Sequence, residues 1–150
     1  MNDNAMQDTA ATKTPWHLWV VGILGLLWIS VGVADFVVAQ TKNAAWMAGL
    51  TEDQRQFFQA LPTWTVASWA IAVFGGLAGM LLILFRSKLA VPAFAASLLG
   101  FLATAFQNYG LSNAWEVMGV GAAIFTGVIF AVAIFSLAYA FKMAKVGVLR

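Results

Sequence analysis

The stretch WHLWVVGILGLLWISVGVADFVV, residues 16–38, decides the fold. It contains no Lys or Arg, and as a helix rising about 1.5 Å per residue it is long enough to cross the ~30 Å hydrocarbon core of a bilayer. Pro15 suits the first helical turn, and Trp16 suits the boundary between membrane and water. The stretch therefore predicts a membrane-spanning helix that carries one carboxylate, Asp35, near its far end.

The rest of the chain has the same membrane-like composition. Of its 150 residues, 62% are hydrophobic and 9% are charged, whereas soluble domains have roughly a quarter charged residues. Three further runs lack interior Lys and Arg and reach spanning length, so the predicted spans are residues 16–38, 64–85, 89–109 and 115–141. Residues 71–84 are apolar or glycine throughout, unlike the alternating strands of a membrane barrel. The predicted fold is all-α, an antiparallel four-helix bundle in the membrane.

Several classes of protein are excluded by what the chain lacks. It has no cysteine, which excludes disulfides, thiolate nucleophiles and thiolate metal sites. Its single histidine, His17, cannot hold a metal without carboxylate neighbours. The segment GGLAG, residues 75–79, lies inside an apolar run and lacks the following Lys-Ser/Thr of a phosphate-binding loop. No basic run or stripe exists, so no nucleic-acid partner is predicted. Together with the missing cysteines and the missing phosphate-binding motif, the sequence predicts no enzyme, no metal and no cofactor.

The loop at residues 40–63 carries helical signals of its own. Asn43 can cap a first short helix, and Thr51 with Gln54 three residues later forms a capping box for a second one. In the second helix the aromatic side chains share one face and the polar side chains the other, and Pro62 ends it. We expect this segment to lie on the membrane surface or to form a lid over the bundle.

The distribution of cations predicts the orientation of the chain. Residues 1–14 are small and polar and predict a disordered tail, which leaves residues 15–150 as a single membrane domain. The connection at residues 86–88 is so short that the second and third spans must be antiparallel neighbours. The cations of one side are Lys13, Arg86, Lys88, Lys142, Lys145 and Arg150, against Lys42 and Arg55 on the other. Since cytoplasmic loops carry the excess of Lys and Arg, we predict a multi-pass protein of the bacterial inner membrane with both termini in the cytoplasm.

Polar and aromatic side chains gather at the outer end of the predicted bundle. Asp35 lies about eight residues, or roughly 12 Å, outward from Leu27 in the middle of the first span. Glu116 begins the fourth span at a similar depth, and Asn113 before it predicts another capping box. An acid within a span costs about 2.5–3.5 kcal/mol at the bilayer centre and less near the edge, so it points to a function. The candidate ligand-binding residues are Asp35, Glu116, Gln107, Asn108, Trp64, Trp69 and Trp115.

Two interpretations of these residues are open. In the first, Asp35 and Glu116 form an outward-facing pocket with the amides and indoles. A polyol or sugar would suit such a pocket, because carboxylates and amides bond to hydroxyls and indole faces cover apolar ring surfaces. In the second, Asp35 reaches water or Arg55, Glu116 belongs to a helix cap, and the tryptophans form an interfacial belt. The central thirds of the spans hold no ionisable residue, so a proton relay is not predicted.

Small residues recur at every fourth position in three of the runs. The three ridges are Gly119, Ala123, Gly127 and Ala131; Gly75 and Gly79; and Ala96, Gly100 and Thr104. Ridges of this kind let helices approach closely and gain dispersion contacts, which matters because lipid supplies little hydrophobic drive for helix association. They predict either packing inside the bundle or a contact with another subunit.

Several short motifs spread along the chain are distinctive together. They are PWHLWVVG at residues 15–22 with Trp28, GVADF at 32–36, QTKN at 40–43, LPTW at 61–64, RSKLAVP at 86–92 and GVLR at 147–150. With these motifs the chain resembles a family of small four-span bacterial membrane proteins commonly labelled sugar transporters. The resemblance implies carbohydrate transport but no particular site residue. The chain departs from the family pattern at Ser30, where Asn is usual, and at Phe36, where Tyr is usual.

Two functional hypotheses follow from the sequence. The first is a sugar-transporter-like protein that binds a small polar solute around Asp35. Because four spans leave little room for a cavity, we expect transport to need a homo-oligomer in addition to membrane lipids. The second is a non-catalytic accessory or assembly subunit that docks on a partner membrane protein through the ridges at residues 119–131 and 75–79.

Overall fold

The computed structural model describes residues 12–150, and within them it contains helices and no strand. Its elements are α1 Trp16–Gln40, α2 Ala44–Ala48, α3 Glu52–Gln59, α4 Thr63–Leu84, α5 Ala90–Ala105, a π-helical turn Phe106–Leu111 and α6 Ala114–Lys145. Four helices, the third of them α5 with its π-helical turn, are long and apolar enough to cross a membrane. The predicted all-α fold is confirmed at this level. Residues 1–11 of the predicted tail, residues 1–14, lie outside the described residues.

The four long helices form a bundle in which α1 packs on α4, α4 on α5 and α5 on α6, while α1 and α6 meet through side chains. We call the end where α1 begins and α6 ends the base, and the end that carries α2 and α3 the top. The loop helices begin where the sequence predicts. The Asn43 side chain accepts from the backbone N–H groups of Ala45 and Trp46, and Thr51 and Gln54 form the predicted capping box. α3 ends at Gln59, before Pro62, which precedes the first turn of α4 instead.

Glycines bring α4 and α5 into close contact. A Cβ atom added at Gly100 would lie 2.6 Å from the Ser68 carbonyl oxygen and 2.8 Å from the Ala72 nitrogen. A Cβ added at Gly75 would lie 3.2 Å from Ser97, and one at Gly79 would meet the ring of Phe94. The ridge at Gly75 and Gly79 is therefore occupied by α5 within the chain, as small residues at a helix contact allow.

The base of the bundle is closed by a continuous apolar core. Leu18, Ile83 and Leu149 are fully buried there, in contact with further side chains of α4, α5 and α6. The last residues return to the α4–α5 turn, where the Arg150 N–H donates to the Arg86 carbonyl oxygen at 2.7 Å and the Lys88 N–H donates to the Arg150 carbonyl oxygen at 2.9 Å. These bonds satisfy backbone groups of the turn between α4 and α5.

The junction between α5 and α6 differs from the sequence prediction. Asn113 precedes α6, but its side chain makes no capping hydrogen bond, so the capping box predicted with Glu116 is wrong. The reason lies in the backbone: Asn113 has φ −100° and ψ 37°, whereas a capping residue is usually extended. The preceding π-helical turn extends to Leu111, so Ser112 is the one residue between that turn and Asn113, and its backbone is extended.

A second irregularity lies at Gly119, where the helical path of α6 is broken. Its φ of 78° and ψ of 176° belong to a region that side chains other than glycine rarely adopt. The break frees the carbonyl oxygen of Val117, toward which Gln54 of α3 donates at 3.5 Å. Gly119 therefore belongs to a break in α6, and the regular part of the predicted ridge begins at Ala123.

Candidate functional site: a cavity between α1 and α6

A cavity of about 640 Å³ lies among the four long helices. Its upper wall includes Asp35, Phe58 and Tyr109, and its floor is formed by Met80 and Phe94, which are 4% and 3% exposed and belong to the core of the base. A volume of this size matches the 300–1,000 Å³ typical of pockets for small organic ligands. The cavity is thus closed toward the base and bounded at the top by α3.

On one side the cavity is bounded by side chains of α1 and α6. Those two helices approach each other closely at few points. Near the middle the rings of Trp28 and Phe125 lie 6.0 Å apart, and both side chains line the cavity while remaining exposed, at 37% and 55%. At the base His17 Nδ1 is hydrogen-bonded to the Tyr139 hydroxyl at 2.6 Å. A gap between these two contacts would lead from the cavity to the outer surface of the bundle.

The carboxylate of Asp35 lies at the upper rim of this cavity. The Trp46 indole N–H of α2 donates to Asp35 Oδ1 at 3.3 Å, across the turn that joins α1 to α2. Within residues 12–150 the only ion pair joins Arg55 to Glu52 at 3.7 Å, and the guanidinium of Arg55 also donates to the Leu50 carbonyl oxygen. Arg55 is therefore engaged by α3 and the turn before it, and Asp35 has no cationic partner in the described part of the chain.

Aromatic rings surround the space next to Asp35. Trp46 and Phe58 lie 5.0 Å apart between ring centroids, and Phe58 lies 6.4 Å from Trp69. Phe36, one residue beyond Asp35, packs edge-on against Trp69 at 5.1 Å. The ring contacts run from α2 through α3 to α4, so they fix the lid helix α3 over the upper end of the cavity.

Deeper in the cavity the hydroxyl groups already donate to carbonyl oxygens. Ser97 of α5 donates to Ala72 of α4, while Thr104 and Ser136 each donate within their own helix, at 2.9 Å and 2.8 Å. A hydroxyl has one hydrogen to donate, so these groups retain only acceptor capacity. The remaining lower wall is aliphatic or aromatic.

Two polar groups of the π-helical turn face the same space. Thr126 donates to the Ala122 carbonyl oxygen at 2.9 Å, so the 3.0 Å bond between Tyr109 and Thr126 must have the tyrosine hydroxyl as donor. Asn108 lines the cavity, and its Oδ1 is buried with no hydrogen-bond partner in residues 12–150. A buried unpaired acceptor is costly, and because this oxygen has almost no accessible surface, a molecule in the cavity reaches it only if the Asn108 side chain turns.

The structure brings together three of the seven candidate residues, Asp35, Trp69 and Asn108, which all line the cavity. Glu116 lies apart, on a separate depression between α3 and α6 that it shares with Asp53 and Gln56. The first and fourth spans therefore contribute their acids to different places, although both acids lie at the top.

The other three candidates take different positions. Gln107 is buried, and its amide donates to the Ser112 hydroxyl at 2.9 Å across the π-helical turn. Trp64 and Trp115 are 45% and 58% exposed and do not line the cavity. Trp115 packs on Tyr109 at 5.0 Å, so it supports a cavity residue from behind.

The room inside a single chain is larger than the sequence analysis expects. α1 and α6 are held apart by aromatic side chains, and small residues such as Gly32 face the space between them. A Cβ at Gly32 would meet only Val73, at 3.8 Å. The seven candidate residues do not include Trp46, Phe58 or Tyr109, although the sequence places Tyr109 in the same outer layer as the candidates. A signal for Phe58 was present in the apolar face of α3, whereas nothing local indicates that Trp46 bonds to Asp35.

Comparison with protein-family models, with curated proteins and with solved structures gives no match for the chain. The walls of the cavity are therefore the basis for proposing what it does.

Proposed function

We propose that this protein is a membrane protein that binds a small organic solute in the cavity between α1 and α6, of the sugar-transporter-like kind to which its sequence has a resemblance. The observation that carries the proposal is the cavity itself, with its closed floor at Met80 and Phe94 and, among the described residues that line it, one carboxylate, Asp35, at the upper rim. Binding needs no bond to be made or broken, and the protein acts without catalysis.

The orientation of the proposed protein follows from its cations. The base carries six Lys and Arg residues and the top carries Lys42 and Arg55. Because the positively charged end remains in the cytoplasm, the base faces the cytoplasm of a bacterial cell and the cavity opens toward the outer side of the inner membrane. A solute would enter from outside or from the outer leaflet and would be stopped by the core at the base.

The experiment identifies the occupant without assuming it. The protein is extracted gently from its native membrane, and small molecules that remain bound are identified by native mass spectrometry. Gly32→Leu extends a side chain into the cavity from a position where Cβ has ordinary contacts only. We expect this variant to fold and to lose at least nine-tenths of the bound molecule.

Gly121→Leu is the matched control for that experiment. It makes the same change in another long helix, at a position outside the cavity where no heavy atom of the described residues lies within 4 Å of the new Cβ. The control should retain the wild-type amount of bound molecule. Recovery of the same molecules, in the same amounts, from wild type and Gly32→Leu would overturn the proposed function.

A second candidate function is that of an accessory subunit, and one observation favours it. Gly127 and Ala131 of α6 are exposed, and no heavy atom in residues 12–150 lies within 4 Å of a Cβ placed at Gly127. The ridge at Gly75 and Gly79, by contrast, is already covered by α5. If α6 docks on a partner membrane protein or a second copy, Gly127→Leu should disperse the complex seen after gentle extraction. A complex unchanged by Gly127→Leu would exclude this docking face.

A further inference from the structure

The charge of the cavity wall indicates what kind of molecule it would hold. Among the described residues that line the cavity, Asp35 is the only charged one. Its neighbour Trp46 supplies one hydrogen bond to Oδ1 but no positive charge. Asp35 is exposed at the rim, and the described chain places no cation within ion-pair distance of it. Because an opposite charge nearby stabilises a carboxylate, a bound molecule with a positive charge would pair with Asp35.

The rings beside Asp35 favour the same charge. Phe58, Trp69 and Tyr109 line the upper part of the cavity, and the faces of aromatic rings attract organic cations within about 6 Å of the ring centre. The carboxylate and the rings belong to α1, α3, α4 and the π-helical turn, so they surround the space from several sides. Together they resemble the surroundings in which proteins bind ammonium groups.

The hydrogen-bond capacity of the upper wall narrows the head group further. The Tyr109 hydroxyl has used its hydrogen on Thr126 and retains only acceptor capacity. Asp35 is also an acceptor, with one oxygen not bonded to Trp46. A protonated primary or secondary amine supplies both the charge and the N–H donors that these oxygens lack, whereas a quaternary ammonium supplies only the charge.

The lower part of the cavity suits an apolar body. Below Thr104 the wall is made of residues such as Ile29, Val73 and Ile129, and the hydroxyls there have already donated to backbone carbonyls. A sugar would leave most of its hydroxyl groups without donors at this depth, and each unpaired buried polar group is costly. A hydrocarbon chain or ring system incurs no such cost.

The geometry points to an amphiphilic amine as the occupant, with its ammonium group between Asp35 and the rings of the upper wall and its apolar body extending toward Met80 and Phe94. This inference rests on the proposed function and specifies its solute. Such a molecule would enter from the membrane between α1 and α6, where the side chains of Trp28 and Phe125 meet and both line the cavity.

The test compares three probes that share one chain. Purified protein in phosphatidylcholine nanodiscs is given radiolabelled dodecylamine, and retention above empty nanodiscs is measured with unlabelled dodecylamine, dodecanol or dodecanoate as competitor. We expect dodecylamine to compete at least tenfold better than the alcohol or the acid. Asp35→Asn should lower the affinity for dodecylamine at least tenfold, to that for dodecanol. Glu116→Gln, which removes an acid at the top outside the cavity, should leave the affinity unchanged.

The outcomes separate this inference from the proposed function. Equal competition by dodecanol or dodecanoate would overturn the inference that the occupant is an amine. The same inference fails if the molecule that co-purifies with wild type and is lost from Gly32→Leu is neutral or anionic. In both cases the cavity keeps its proposed function of binding a small organic solute. If Asp35→Asn does not fold, Asp35→Glu should retain affinity for dodecylamine within about threefold, and Asp35→Ser should lose it. Equal binding by these two variants would overturn the inference.

Phosphatidylethanolamine added to the nanodiscs distinguishes the source of the natural amine. It competes with dodecylamine if the natural amine is a lipid head group, and it fails to compete if the natural amine is a free molecule.

Discussion

The contact between α4 and α5 and the contact between α1 and α6 are built in opposite ways. In the first, glycines let one backbone approach the other so closely that a Cβ at Gly100 would overlap the Ser68 carbonyl oxygen. In the second, the helices meet through large rings, Trp28 with Phe125, and through a hydrogen bond between His17 and Tyr139. Backbone contact fixes two helices rigidly, whereas side chains can change rotamer and let helices separate.

This difference explains where the cavity lies. Helices that touch through glycine leave no space between them, and the α4–α5 pair forms one solid wall. Helices that touch through rings stand further apart, and the space behind Trp28 and Phe125 becomes the cavity. The close α4–α5 pair therefore forms one side of the cavity, and the side-chain contacts between α1 and α6 form the other.

Substituting Gly100 by Ala should have the largest effect on stability. The added methyl would lie against backbone atoms of α4, which cannot rotate away, so α4 and α5 must separate. Such overpacking costs about 1–3 kcal/mol, and we expect about 2 kcal/mol of lost free energy of unfolding in mixed micelles. Gly127→Ala makes the same change on the open face of α6 and should be neutral or stabilising by at most about 1 kcal/mol, since Ala favours helix. Equal losses from the two variants would contradict the contrast between the contacts.

Local signals explain how much of this structure the sequence predicts. Helix lengths and the caps at Asn43 and Thr51 depend on residues close together in the chain, and they were predicted correctly. The roles of Gly32 and Gly100 could not be predicted, because in the sequence both are small residues within an apolar run. In the structure Gly32 faces the cavity, whereas Gly100 faces the backbone of α4. The function of a glycine here depends on which helix lies opposite, and that is a property of the whole fold.

The candidate site shows the same limit. Depth along the spans placed Asp35 and Glu116 at the same end of the bundle, where both are found. Depth does not specify rotation about the helix axis, which decides that Asp35 faces the cavity while Glu116 faces a depression beside α3. The break at Gly119, which follows the first turn of α6, was likewise hidden because the residue also fits a packing ridge.

Joining α1 to α6 should have the next largest effect, on exchange of the bound molecule. The chain has no cysteine, so Trp28→Cys with Phe125→Cys can be linked selectively by a short bis-maleimide. If the occupant passes between these helices, the link should slow its entry and release at least tenfold. The same double variant treated with a monofunctional maleimide is the control, because it carries similar bulk without a link. Exchange at equal rates in both preparations would show that molecules enter elsewhere, for instance beneath α3.

The smallest effect is expected at the lower contact between α1 and α6. His17→Phe and Tyr139→Phe each remove one partner of the 2.6 Å hydrogen bond while keeping a ring in place. A single hydrogen bond contributes about 0.5–1.5 kcal/mol net. Each single variant already loses this bond, so the stability loss of the double variant should be about 1 kcal/mol smaller than the sum of the two single losses. Because the bond lies at the base, its loss should loosen α1 against α6 without changing the upper wall. We therefore expect faster exchange of the bound molecule at unchanged affinity, and an altered affinity would place the bond in the binding site instead.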